Sequence, residues 1–165
     1  MTARAFIAAH LESRQVSRVV YGSIIGLALV VVLEAHPPPP RSVIASLLAT
    51  AVAVGLAEFY SELVGFETLK RRKANRAELR HLGWDIAAVA FGIAFPAVFF
   101  LLAVLDVLEY DTAFTVAKWT GVGLIGLYGF IGARLSGGGL VKSLLQGAAV
   151  ALIGAFLIVL KSLVH

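Results

Sequence analysis

Four side chains in this 165-residue chain combine in type and spacing into a candidate site: Glu58, Glu62, His81 and Asp85. Glu58 and Glu62 stand four apart inside Ala57-Glu-Phe-Tyr-Ser-Glu-Leu-Val-Gly65, and His81 and Asp85 stand four apart further along. Residues at that spacing share a helix face, so each pair puts two titratable groups on one stripe. Carboxylate oxygen and neutral imidazole nitrogen, with no soft sulfur, suit a divalent transition ion such as iron or manganese. Crowded carboxylates also hold a shared proton, which an arriving cation would displace. The same acids have a second reading. Arg80, Arg134 or Lys142 would neutralise them in a structural ion network, and the sequence leaves both readings open.

What must position these groups is a membrane span. The chain is 59% hydrophobic and 15% charged, with a mean hydropathy of +0.91. Soluble domains run at about 45–50% apolar and about 25% charged. So much apolar surface needs lipid as part of its solvent, and several runs approach the ~20 residues that cross a bilayer. The expected architecture is all-α: a bundle of five transmembrane helices in a multi-pass protein of the cell membrane. The absence of cysteine excludes disulfides and thiolate chemistry. The first apolar run reads as a retained anchor rather than a cleaved signal.

Spans are expected at about 19–35, 42–65, 83–106, 112–133 and 140–161, forming one domain over 19–165. Residues 1–18 form an N-terminal cytoplasmic segment, read either as an interfacial helix or as a solvated tail. Four prolines in Ala35-His-Pro-Pro-Pro-Pro-Arg41 bar a helix and favour an extended turn. The link after span two, containing Lys70-Arg-Arg-Lys73, Arg76 and Arg80, is the most charged. Eleven of the fourteen basic residues fall on its side of the membrane. That asymmetry places the N-terminus inside and the C-terminus outside. The basic residues flank spans, so they do not imply nucleic-acid binding.

Span two carries Ala51, Gly55, Glu58, Glu62 and Gly65 on one stripe and Val52, Leu56, Phe59, Leu63 and Phe66 roughly opposite. Small residues permit close helix approach, so the glutamates are expected to point into the bundle. Span three puts Asp85, Ala88, Gly92 and Pro96 on one face, with Pro96 expected to kink it. Glu62, His81 and Asp85 then share a depth, with Glu58 about one turn, roughly 5–6 Å, deeper. A carboxylate at mid-bilayer costs about 2.5–3.5 kcal/mol, less near the boundary. Towards the outer side, Lys118 and Lys161 read as snorkelling anchors, Lys118 reaching Asp111 or Glu34. Gly22-Ser-Ile-Ile-Gly26 is a GxxxG pattern of the kind that packs helices, and it suggests a homodimer.

Three stretches resemble one known family. Gly129-Phe-Ile-Gly-Ala-Arg-Leu-Ser-Gly137 is similar to the Gly-aromatic-x-x-Ala-Arg-Leu-Ser/Thr-Gly stretch of the vacuolar iron transporter family. Ala90-Phe-Gly-Ile-Ala-Phe-Pro96 resembles its proline-bearing third helix, and Val54-Gly-Leu-Ala-Glu-Phe-Tyr60 the end of its second. The resemblance implies a five-helix protomer, a homodimer and proton-coupled movement of ferrous or similar ions. Three features depart from it. Ile25 stands where the family has Asp before Gly26, Val54 stands near its second-helix methionine, and the link after span two is short and basic rather than a long acidic metal-binding segment.

Two functions follow: a divergent divalent cation/proton transporter using Glu58, Glu62, Asp85 and His81, or a non-transporting membrane scaffold that keeps the fold with its acids statically paired. No nucleophile–base pair, paired-histidine motif or phosphate loop suggests an enzyme.

Overall fold

The computed structural model describes residues 13–164, and among these all regular structure is helical. Six helices are present among the described residues: α1 Ser13–Leu33, α2 Pro40–Lys70, α3 Arg76–Ala94, α4 Ala97–Val104, α5 Tyr110–Leu135 and α6 Leu140–Val164. Of these α1, α2, α5 and α6 are each long and apolar enough to cross a bilayer. The pair α3–α4 passes the same test jointly, bent by 48° at Phe95–Pro96. The chain is a multi-pass helical membrane protein.

Local chemistry explains the breaks. Pro39 is extended (φ −50°, ψ 146°) and hands over to a helix with Pro40 at its first position, where a missing N–H costs nothing. Pro96 lacks the donor that would continue α3, so the helix stops at Ala94 and resumes at Ala97, which is the kink the sequence predicts. α2 ends on Arg71 in the left-handed conformation (φ 51°). Asn75 and Glu78 then form a reciprocal capping box that starts α3.

α1 sits centrally, in contact with α2, α3, α5 and α6. One core cluster joins Val30, Val43, Leu47, Phe100 and Phe114, and a second joins Leu27, Val31 and Ile125. Val52, Leu56, Trp119, Leu152 and Phe156 are exposed on the outside of the bundle, as side chains that meet lipid should be.

The predicted stripes hold in part. Ala51 and Gly55 are buried, as are Asp85, Gly92 and Pro96. Gly65 instead is exposed and faces open space, because a cavity separates α2 from α3 there. Residues 13–18 are already helix, continuous with α1, whereas the first twelve residues of the expected interfacial segment lie outside the described residues. His10, His165 and the side chain of Lys161 lie outside them too.

The GxxxG pattern is used within the protomer. A Cβ on Gly22 would sit 2.1 Å from the Val89 carbonyl oxygen, and one on Gly92 would sit 2.6 Å from both the Val19 carbonyl oxygen and the Ser23 nitrogen. Real atoms cannot approach so closely, so α1 and α3 touch backbone to backbone and only glycine fits. The sequence motif that, beside the family likeness, suggested a homodimer is therefore used in an intramolecular crossing. A second tight crossing joins α5 and α6, where a Cβ on Gly147 would stand 2.8 Å from the Gly126 carbonyl oxygen.

Candidate functional site

Arg18, Gly22 and Gly26 follow one another at four-residue intervals and so share a face of α1. The two glycines draw α1 against α3, and Arg18 reaches α2 from the same helix. Its Nη1 donates to Glu58 Oε2 at 2.6 Å, and its Nη2 donates to Glu62 Oε1. One planar guanidinium thus spans two carboxylates a turn apart, the geometry for which arginine is suited and lysine is not. The side chains are 16% (Arg18), 25% (Glu58) and 35% (Glu62) exposed. The glutamates do point into the bundle, but their partner is Arg18 rather than Arg80, Arg134 or Lys142. Arg134 instead donates to the Gly138 carbonyl at 3.1 Å.

Asp85 is the exception. It is 2% exposed, and its Oδ1 has no hydrogen-bond partner among the described residues. With Glu62 and His81 it lines a cavity of about 440 Å3 between α2 and α3, and Glu58 is not among the lining residues. Three of the four expected site residues therefore border one space, while Glu58 is turned to Arg18. Among the described residues, no three His, Cys, Asp or Glu side chains gather closely enough to hold a metal ion. His81 is exposed at the rim, one turn before Asp85.

The nearby link is held by its own charges. Arg72 donates to Glu78 through both terminal nitrogens, at 2.9 and 2.6 Å, and lies 5.3 Å from the Phe66 ring centre. The Glu78 hydrogen bond holds the Arg72 guanidinium above the ordinary arginine range. At the opposite end of the bundle Lys118 Nζ meets Glu34 Oε1 at 2.6 Å, one of the two partners the sequence offered it. Tyr110 donates its hydroxyl to the Pro38 carbonyl and ties α5 to the proline turn.

Sequence reasoning missed Arg18. It stands just before the expected first span and looks like one more basic residue of the flank. Its signal was the four-residue step to Gly22 and on to Gly26, which makes it a member of the packing stripe.

The fold and this cluster define the class: a polytopic α-helical membrane protein with an arginine–dicarboxylate network and an adjacent buried aspartate at one end. No family model matches the chain, and no curated protein or solved structure matches it either. The likeness to the vacuolar iron transporter family accordingly stands on the residues quoted for it above.

Proposed function

We propose that the chain is a non-transporting membrane scaffold or assembly partner whose intramembrane acids are structural, oriented with its basic end towards the cytosol. The observation that carries this is the Arg18 fork across Glu58 and Glu62. A divalent ion held by the same glutamates would have to displace a guanidinium that already satisfies both. An ion pair of this kind does little for net stability against an apolar alternative, but it fixes the register of α1 on α2.

One observation favours the second reading, a divergent divalent cation/proton transporter. The Asp85 oxygen is left open beside a cavity that Glu62 and His81 also line, and intramembrane acids on inward faces commonly mark ion paths. The bend at Pro96 supplies the broken helix such proteins use.

Thermal melts separate the two. Wild type and a variant carrying Glu62→Gln with Asp85→Asn are heated with and without manganese, cobalt or ferrous ion, alongside ion flux in proteoliposomes. The scaffold reading expects no ion-dependent shift, no flux, and a destabilised variant whose Arg18 has lost half its partner. Ion-dependent stabilisation of the wild type, with a folded but unresponsive variant, would replace it by the transporter.

A further inference from the structure

The seam between α2 and α3 does not end at the acids. Residues 61–69 of α2 and 78–85 of α3 line the cavity at the basic end. Residues 48–59 and 86–94 of the same helices line a wider hollow of about 820 Å3. The two stretches are consecutive on both helices, so the hollows lie end to end along one trough. The first has Glu62, His81 and Asp85 at its mouth. The second carries no charged residue, and Ala51, Gly55, Ala87, Ala90 and Ala94 keep it open. Beside the mouth a third hollow is lined by Arg80, His81 and Trp84.

We propose that this trough binds a phospholipid with a primary-ammonium headgroup: the ammonium on Asp85, the phosphate towards Arg80, and one acyl chain along the alanine-lined seam. The buried Asp85 oxygen needs a donor, since an unmet buried acceptor costs far more than a solvated one. Arg18 is committed to the glutamates and cannot serve. None of the described residues meets this oxygen, and a bound ammonium group would. Lysine-like ammonium hydrogens fit a single open carboxylate oxygen, and the neighbouring Arg80 supplies the charge that the phosphate of a zwitterion requires.

The apolar part fits by length. Residues 48–59 cover roughly 17 Å of helix, close to half of a hydrocarbon core that is about 30 Å thick, which is what one leaflet's chain spans. Trp84 is exposed at the headgroup end, where tryptophan concentrates at membrane interfaces. A second copy of the chain fits worse. A two-fold contact through the same seam would bring the carboxylates of one mouth towards those of its copy.

The test is native mass spectrometry of the whole protein, delipidated and then exposed to an equal mixture of dioleoyl phosphatidylethanolamine, phosphatidylcholine and phosphatidylglycerol. The expected result is a single retained phosphatidylethanolamine per protomer, preferred roughly tenfold over the other two, as the loss of one charge-assisted hydrogen bond implies. Phosphatidylcholine shares the chains and the positive charge but has no ammonium hydrogen to donate. Asp85→Asn should erase the preference, and Ala87→Phe, at an exposed position of the trough, should reduce retention of all three. Melting curves establish that both variants are folded. Equal retention of the three lipids, a preference that survives Asp85→Asn, or a lipid-free dimer closed over the seam would each overturn the proposal.

Discussion

The two ends of the bundle solve the same problem differently. At one end a single base meets a single acid, Lys118 on Glu34, beside an aromatic cluster in which Phe114 packs 4.8 Å from Phe100 and 5.2 Å from Tyr110. At the other a single base is divided between Glu58 and Glu62, and a third carboxylate nearby, Asp85, keeps a buried oxygen without a partner among the described residues. At the first end the base and the acid meet each other. The second leaves one buried acceptor unmet among the described residues. Unfilled electrostatic demand of that kind is where a membrane protein meets something other than itself, and it separates a site from a strut.

The sharpest way to break the contrast is at the crossing that holds Arg18 in place. Gly22→Ala puts a methyl group into the Val89 carbonyl, a backbone atom that cannot rotate away. The expected loss is about 3 kcal/mol, the upper part of the usual overpacking range. It should appear as a lower melting temperature and poorer yield, with α1 separated from α3. A wild-type melt would mean that α1 and α3 are not in backbone contact.

Removing the shared base comes next. Arg18→Met leaves two carboxylates side by side on α2 without their shared base. Breaking a fully buried pair costs about 3–5 kcal/mol, and the partial exposure of these groups reduces the expectation to about 1–3. Adding Glu58→Gln and Glu62→Gln should restore most of that loss, and the cycle measures the coupling directly. Failure of the glutamines to rescue would show that Arg18 matters by packing rather than charge.

Lys118→Met should cost less, about 1 kcal/mol, because only one acid is left without its base and methionine keeps the apolar stem's volume. If it proves worse than Arg18→Met, the ranking of the two ends is reversed. The smallest effect is expected at the link, where Asn75→Ala removes one half of the capping box and should cost about 1 kcal/mol or less. Hydrogen exchange should then show fraying confined to the first turn of α3.

Much of this arrangement is legible in the chain. Apolar runs of the right length give the spans, Pro96 gives the bend, and the three- and four-residue steps from Ala51 to Glu62 give the inward face of α2. Lys118 lies a short way inside its span, so it has to reach for an acid, and Glu34 is one of two within reach. The pairing of the glutamates was not legible in the same way. Several basic residues cluster at that end, and composition does not rank them. Helix crossing geometry does, and it depends on Val89 and Gly92, far away in sequence from Gly22. The GxxxG pattern likewise states that two helices touch without stating which. The open oxygen of Asp85 depends on what is missing around it, and absence of a neighbour leaves no mark in a sequence.

The bend at Phe95–Pro96 has a mechanical meaning. A straight third span would act as one lever, carrying any tilt at Asp85 through to the aromatic cluster around Phe100. The break turns it into two shorter arms that meet at a joint, α3 seated on α1 and α2 and α4 seated on α2 and α5. A tilt at Asp85 is therefore not carried to Phe100 along one unbroken helix.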